Sequence, residues 1–193
     1  MQRPYHHGNL RNALIEAGIE LINNEGEKQF SLRKVASLCG VSEAAPYSHF
    51  KNKEALLSAM QDYIQEKLMT VMKDTILSSS DVDNTYLLIQ LGKSYIMFFM
   101  KDPQYFPFLC SHTHLEINLS LNTNVTDSFP PFELFKSTAL RVLRKNGFPE
   151  TKLLDNIISM FATVHGLASI ATMPNVRYSE SWETKIEDII WNK

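Results

Sequence analysis

The sequence predicts an all-α fold, in which a small N-terminal three-helix unit precedes a larger helical body. Three observations support this prediction. Apolar residues recur at helical spacing along most of the chain, and no segment alternates convincingly between apolar and polar residues as a half-buried strand would. Glycine and proline number only 7 and 8 among 193 residues. Two short predicted helices near the N-terminus are separated by a three-residue glycine turn.

The composition narrows the class of protein. Hydrophobic residues make up 44% of the chain, which is enough to build a core without disulfides or metals. The longest uninterrupted apolar run, residues 95–100, is six residues, whereas a membrane-spanning helix needs about 20. The first eight residues are polar and lack the apolar region of a secretory signal, and two cysteines suit a reducing compartment. We therefore expect a cytoplasmic protein and exclude membrane, secreted and fibrous classes.

The net charge is close to zero and gives little indication of what the protein binds. The formal net charge is −2, which argues mildly against nucleic acid because DNA-binding domains are usually basic. Residues 1–55 carry seven basic and six acidic side chains, and the remainder carries 12 and 15. Whether the N-terminal unit suits DNA must therefore be judged from where its basic residues lie.

The N-terminal elements follow from spacing and capping residues. Gly26 ends a first helix, and Ser31 is the expected N-cap of a short second one. Residues 39–41 form a tight turn in which Gly40 can adopt positive φ. Ser42 is then expected to cap a third helix. The apolar face of the first helix consists of Leu10, Leu14, Ala17 and Leu21.

The remaining elements are longer. Asn52 is expected to cap a helix that ends near residue 78, and later helices are expected at 83–101, 103–120 (broken), 131–145, 152–173 and 180–191. We expect one domain at residues 8–68, with a helix-turn-helix at about 31–50, and a second at residues 69–193.

A helix-turn-helix has a specific relation to DNA. The first helix crosses the phosphate backbone, while the second places its N-terminal residues in the major groove. The residues expected to face bases are Ser42, Glu43, Ala44 and Ala45. Two alanines allow close approach to the bases, and the Glu43 carboxylate can accept a hydrogen bond from cytosine N4. Pro46 lacks an N–H, so we expect a distorted first turn.

Phosphate contacts are expected from polar and basic side chains around these helices. They are Arg33, Lys34, Tyr47, His49, Lys51 and Lys53. The alternative is that a small three-helix unit with a glycine turn packs in this way without any role in DNA binding.

Several segments resemble the DNA-binding domain of TetR/AcrR-type bacterial repressors. They are residues 5–11, 31–36, 40–42 and 44–57, the last with a Tyr-x-His-Phe-x-x-Lys-Glu pattern that begins at Tyr47. In one branch of that family the C-terminal domain carries a Trp-x-x-x-His-Gly motif. Residues 161–166 resemble that motif, with Phe161 in place of the tryptophan.

The resemblance implies a homodimeric repressor that is released from a palindromic operator by a small effector. It implies that Ser31, Arg33, Tyr47, His49 and Lys53 contact phosphates. It also implies that the arm before Leu10, with Arg3, His6 and His7, reaches a neighbouring groove.

Two predicted C-terminal helices carry apolar stripes that suit a four-helix dimer bundle. The expected interface residues are Phe135, Ala139, Val142, Leu154, Ile158, Ala162, Gly166 and Ser169. The alternative is that both stripes fill the core of one chain. Periodicity does not separate these two readings, and the resemblance favours the dimer.

Aromatic residues are dense between residues 86 and 135, as in a mostly apolar ligand pocket with a few polar anchors. The candidate ligand-binding residues are Tyr95, Phe98, Phe99, Phe106, Cys110, His112, Phe161 and His165. The alternative is that these side chains only form the core of a helical body.

No cofactor, metal site or enzymatic activity is expected. His112 and His114 would point to different faces of a helix, and no nucleophile, phosphate-loop or dinucleotide motif occurs. We therefore expect a sequence-specific DNA-binding regulator that responds to a largely apolar effector. The alternative is a helical ligand-binding module whose N-terminal unit contacts protein instead of DNA.

Overall fold

The structure is a computed structural model that describes residues 10–79, 84–113, 115–121 and 128–191. These residues form eight α-helices and one 3₁₀ helix, and they contain no strand, which confirms the all-α prediction. The elements are α1 (Leu10–Glu25), α2 (Leu32–Leu38), the 3₁₀ helix (Ala45–Ser48), α3 (Lys53–Ser78), α4 (Thr85–Lys101), α5 (Tyr105–Ser111), α6 (Pro130–Lys145), α7 (Glu150–Thr172) and α8 (Trp182–Trp191).

The chain divides into two compact units. Among the described residues, the first comprises residues 10–64 and 107–113, and the second comprises residues 65–79, 84–106, 115–121 and 128–191. Helix α3 contributes its first turns to one unit and its remainder to the other. The core of the first unit is aliphatic, and its fully buried side chains include Leu14, Ile15, Ile19, Val35, Leu56 and Met60. Each such side chain contributes about 1.5–3 kcal/mol by its removal from water.

The N-caps predicted for α2 and α3 are confirmed. The Ser31 hydroxyl accepts a hydrogen bond from the Lys34 amide at 3.3 Å, and Asn52 Oδ1 accepts one from the Ala55 amide at 2.9 Å. Beyond α2, Gly40 has φ +67°. Its amide donates to the Ser37 carbonyl and the next amide donates to the Ala36 carbonyl, both at 3.1 Å, which is a Schellman closure.

Two predicted helices are shorter than expected. The helix predicted from Ser42 is only the 3₁₀ helix Ala45–Ser48, and Ser42 is not its N-cap. The helix predicted at 103–120 ends at Ser111. Just beyond it the Thr113 hydroxyl donates to the Leu109 carbonyl of the last turn at 2.7 Å, and further along the Glu116 carbonyl accepts a hydrogen bond from the Phe129 amide at 2.7 Å.

Helix α4 lies against α7 and α8 in the second unit at very short range. A Cβ atom added at Gly92 would lie 2.9 Å from Val164 Cγ2 and 3.1 Å from Ile190 Cδ1. Val164 is itself buried and branched at Cβ, so it has little freedom to move aside. Only a glycine at position 92 therefore permits this approach of the three helices.

A lysine is fully buried in α6, a feature that the sequence analysis did not anticipate. The Lys136 side chain is 1% exposed, and its ammonium donates to Glu133 Oε1 at 2.8 Å and to the Asn118 carbonyl at 3.0 Å. It also lies 5.6 Å from the centre of the Phe132 ring. These contacts compensate the buried charge and hold the irregular segment 115–121 against α6.

Helix α7 leaves much of its apolar surface uncovered. It is long and apolar enough to cross a membrane by length and composition, although no uninterrupted apolar run revealed this, and 22% of its most apolar window is buried. Its inner face buries Leu153, Ile157, Val164 and Ala168. Such uncovered apolar surface on a helix commonly marks contact with another protein.

Replacement of Gly92 with alanine should lower the free energy of unfolding by about 1 kcal/mol. Overpacking against Val164 costs about 1–3 kcal/mol, which exceeds the roughly 1 kcal/mol gained from helix propensity. Urea denaturation followed by circular dichroism measures the change.

The matched control is Gly166→Ala on α7, where an added Cβ meets nothing within 4 Å. This control should be as stable as the original chain or more stable, by up to about 1 kcal/mol. Equal stabilisation by both substitutions would contradict the close approach at Gly92.

Candidate nucleic-acid interface

The segment expected to read DNA, residues 42–49, is held by two buried side chains and exposes most of the others. Pro46 is buried and Phe50 is 3% exposed. Ser42, Glu43 and Ala44 are exposed and Ala45 is half-buried, as base contacts require. The structure therefore brings these four candidate residues together on an outward surface of the first unit.

Backbone hydrogen bonds explain why this segment is a 3₁₀ turn. The Ala45, Tyr47 and His49 amides donate to the carbonyls three residues earlier, at 3.0–3.1 Å. Pro46 has no amide hydrogen to donate and occupies the start of the turn, where that loss is harmless. The distortion expected at Pro46 is therefore present, and it extends to the whole segment rather than to its first turn.

Two further candidates project from the same turn. Tyr47 is 55% exposed, so its hydroxyl is accessible to a phosphate. The His49 imidazole is exposed, and its ring centre lies 6.2 Å from that of Phe50. The Arg11 guanidinium lies 5.6 Å from the centre of the Phe50 ring. Phe50 thus holds the end of the turn while Tyr47 and His49 remain outside.

The basic candidates differ in how available they are. The Lys34 ammonium contacts Glu25 at 2.8 Å and Gln29 at 3.0 Å. The Lys53 ammonium donates to the Glu27 carbonyl at 2.9 Å. Both lysines therefore stabilise the loop between α1 and α2, and DNA must compete with these contacts for them. Lys51 is exposed.

Arg33 and Glu43 form an ion pair between α2 and the reading segment. Arg33 Nε lies 3.4 Å from Glu43 Oε2, and the two side chains are 73% and 72% exposed. An ion pair this exposed contributes little to stability, about 0–1 kcal/mol. Its importance is positional, because it places a guanidinium and a carboxylate side by side on the surface expected to face DNA.

Cys39 has a structural role in the first unit. Its thiol lies 3.5 Å from the Ala13 carbonyl, and burial raises the pKa of the thiol. The protonated form therefore predominates near neutral pH, so the residue is a poor nucleophile.

In the second unit, six of the eight candidate ligand-binding residues form one aromatic cluster. Ring centres are 4.9 Å apart for Tyr95 and Phe99 and 4.9 Å apart for Phe106 and His165. The Tyr95 hydroxyl lies 3.0 Å from His165 Nδ1. Burial lowers the pKa of the imidazole, so His165 is neutral at neutral pH. The cluster consists of Tyr95, Phe98, Phe99, Phe106, Phe161 and His165.

This cluster is too closely packed to hold a ligand as it stands. The cavity beside Tyr95 and Phe161 measures only about 20 Å³, whereas ligand pockets usually measure about 300–1,000 Å³. Cys110 and His112 are not part of the cluster. Cys110 is exposed and His112 lies 6.3 Å from Phe108, ring centre to ring centre, and all three residues belong to the first unit.

The candidate dimer residues divide into two groups. Phe135, Ala139 and Val142 of α6 are at most 8% exposed, so they form the core of the unit and are unavailable to a second chain. This corrects their expected place at the interface. The candidates on α7 are half-buried or exposed; they are Leu154, Ile158, Ala162, Gly166 and Ser169.

Some expectations concern residues outside the described part of the chain. They include the arm with Arg3, His6 and His7, and also His114. Within the described ranges, no group of three or more His, Cys, Asp or Glu side chains could hold a metal ion.

Comparison with known proteins identifies the N-terminal region. Residues 14–60 match the family model described as bacterial regulatory proteins, tetR family. The nucleoid occlusion factor SlmA of Vibrio cholerae is 26% identical over 187 residues, which cover 90% of this chain and 92% of that protein. The tetracycline repressor protein class C of Escherichia coli is 42% identical over 52 residues, which cover 27% of this chain and 24% of the repressor.

Solved structures share the fold across nearly the whole chain. The fatty acid degradation regulator FadR of Bacillus halodurans superposes with a TM-score of 0.72 at 16% identity, covering 93% of this chain and 95% of that one. A putative transcriptional regulator of Pseudomonas aeruginosa gives a TM-score of 0.73 at 15% identity, covering 97% and 89%. At these identities the likeness concerns the fold.

Substitution of Tyr47 with phenylalanine should weaken binding to every DNA duplex by a similar factor, about tenfold or more. The change removes one hydroxyl from each chain, and a hydrogen bond to a charged group is worth about 1.5–3 kcal/mol. Fluorescence anisotropy with a preferred duplex and a scrambled one measures the effect.

Tyr86→Phe is the matched control, because Tyr86 is a 52% exposed tyrosine of the second unit. It should leave both affinities unchanged. If Tyr47→Phe altered the preferred sequence without lowering general affinity, the phosphate assignment would be wrong.

Proposed function

Because this chain is a DNA-binding regulator of the TetR/AcrR family and not an enzyme, we propose that it represses transcription as a cytoplasmic homodimer. Each chain binds one half of an inverted-repeat operator, and a small, largely apolar effector releases the dimer from DNA. The exposed reading segment, residues 42–45, is the observation that carries this proposal.

The surface around the reading segment supports DNA binding more than binding to a protein. It combines a small-residue stretch, Ala44 and Ala45, with the Tyr47 hydroxyl, the His49 imidazole and the Lys51 ammonium. None of these five side chains is a large aliphatic group, whereas protein interfaces usually have an apolar centre. Hydrogen-bonding groups around a surface that permits close approach are suited to a groove lined by phosphates.

The ion pair of Arg33 and Glu43 supports reading of a specific base pair. The Glu43 carboxylate would repel phosphates, so its place on this surface favours a base contact. The carboxylate accepts from cytosine N4, so Glu43 matches a G·C pair, while the Arg33 guanidinium 3.4 Å away offsets its charge beside the phosphates that Arg33 is expected to contact. We assign Glu43 to one position of the half-site.

Dimerisation is proposed through the outward face of α7. Leu154, Ile158, Ala162, Gly166 and Ile170 recur every four residues on this helix, and Ile158 and Ile170 are 37% and 43% exposed. The small residues in the middle allow a second helix to approach closely. A two-fold axis through this stripe would pair it with its own copy.

The sequence of the operator provides the main test of the proposal. Selection from a random duplex library should enrich an inverted repeat with half-sites about one helical turn, roughly 10 base pairs, or slightly more apart. The Glu43→Ala variant should enrich a repeat changed at one position of each half-site, because the acceptor for cytosine is lost.

Two results of the library selection would contradict the proposal. Absence of enrichment, with no binding even at low salt, would favour the alternative in which the first unit contacts protein. Binding without sequence preference would still show a salt slope of about −0.9 per phosphate contact, and it would contradict the operator proposal alone.

Replacement of Gly166 with leucine should give monomers with at least about tenfold lower operator affinity, since two linked half-site contacts are lost. The protomer should still fold, because an added Cβ at Gly166 meets open space and leucine favours the helix. Sedimentation and anisotropy measure the two effects.

Gly166→Ala is the control and should remain a dimer, because a methyl group adds little bulk. A leucine variant that dimerises with normal strength would place the interface on another surface.

Nucleoid occlusion is a second candidate function, because the similarity to SlmA extends over most of both chains. Both functions require the DNA contacts described above. A chromosome-wide binding map separates them: a few sites at gene starts support repression, while many dispersed sites support occlusion.

A further inference from the structure

The second unit contains a groove that the sequence analysis did not anticipate. Its volume is about 530 Å³, and α4, α6, α7 and α8 all contribute to its walls. This volume lies within the usual range of about 300–1,000 Å³ for small-molecule sites. The apolar side chains that line it are Leu88, Ile89, Phe135, Leu143, Phe148, Met160, Val164 and Ile190.

The polar groups of the groove are all neutral. They are contributed by Thr85, Asn156, Ser159 and Thr163, and none of the described lining residues carries a charge. An ion in this groove would lose hydration without gaining a counter-charge, which is strongly unfavourable. The lining therefore selects for uncharged molecules that offer mostly apolar surface and a few hydrogen-bonding groups.

We propose that this groove, rather than the aromatic cluster around His165, is the effector site, and that its ligand is uncharged and mainly apolar. The inference rests on the proposed function for the existence of an effector. The cavity beside the cluster is about 20 Å³, which is room for about one water molecule and far below the roughly 300 Å³ at the lower end of small-molecule sites. The groove offers the necessary volume without any rearrangement of the core.

The groove and the proposed dimer surface use neighbouring faces of α7. Ser159 and Thr163 line the groove, whereas Ile158 and Ala162 belong to the outward stripe. Adjacent positions on an α-helix point about 100° apart, since a turn contains 3.6 residues. The stripe turns toward the groove only at its C-terminal end, because Gly166 and Ile170 lie seven positions, nearly two full turns, beyond Ser159 and Thr163. Pairing of two chains through Leu154, Ile158 and Ala162 therefore leaves the groove side of α7 to a ligand.

A pair of fluorescent dyes with the same aromatic scaffold tests both the place and the charge preference. N-phenyl-1-naphthylamine is uncharged, and 8-anilino-1-naphthalenesulfonate adds one negative charge. The uncharged dye should bind at least about tenfold more tightly, a difference of 1.4 kcal/mol. The titrations use the purified full chain without DNA, so this result does not depend on operator binding.

Three variants locate the bound dye. Thr85→Phe fills the groove from the start of α4 and should weaken binding of the uncharged dye at least about tenfold. Tyr86→Phe, the adjacent control, changes a residue outside the groove lining and should not alter binding. Phe161→Leu loosens the aromatic cluster and should also leave binding unchanged.

Several outcomes would overturn the inference. They are equal binding of both dyes, loss of binding in Phe161→Leu but not in Thr85→Phe, and binding only by the Gly166→Leu monomer, which would mean that a second copy covers the groove.

With a selected operator, the uncharged dye should also release the original chain from DNA but should not release the Thr85→Phe variant. Dye bound in the groove without release overturns the effector assignment, whereas absence of any operator contradicts the proposed function instead.

Discussion

The second unit depends on the close approach of α4, α7 and α8 at Gly92. A single added carbon there would lie 2.9 Å from Val164 Cγ2 and 3.1 Å from Ile190 Cδ1, so any larger residue forces these side chains to shift. Helix α7 turns Leu153, Ile157, Val164 and Ala168 inward, and among the described residues its opposite side is half-buried or exposed. The proposed dimer surface and the groove both follow from the orientation that this contact gives α7.

The sequence was sufficient to predict the parts of the fold that depend on local chemistry. Ser31 and Asn52 are N-caps, as predicted, and Gly40 adopts the positive φ expected of the turn after α2. Each role requires only atoms within a few residues, so a pattern in the chain reveals it. Pro46 shows the limit: its missing amide hydrogen predicted a distorted first turn, but not that the whole segment would be a 3₁₀ turn flanked by two buried side chains, Pro46 and Phe50.

The candidate sites were less predictable, because periodicity does not say what an apolar stripe packs against. Ala139 and Val142 repeat at helical spacing as interface residues would, yet they are buried against their own chain. Several aromatic residues between 86 and 135 were expected to line a pocket and lie in one cluster, but composition could not tell a filled core from an open cavity. Lys136 gave no signal in the sequence, since its burial depends on the Asn118 carbonyl, 18 positions away.

The 3₁₀ turn of the reading segment has a consequence for how this protein can change. Residues 42–44 precede the turn and are exposed, so their side chains neither maintain a helical hydrogen-bond ladder nor fill the core. Pro46 and Phe50 anchor the backbone from within. Substitutions at 42–44 should therefore cost little stability, so under the proposed function the preferred operator sequence can change through these positions while the fold stays intact. The positions proposed for recognition and the positions that anchor the fold are then different residues of one short segment.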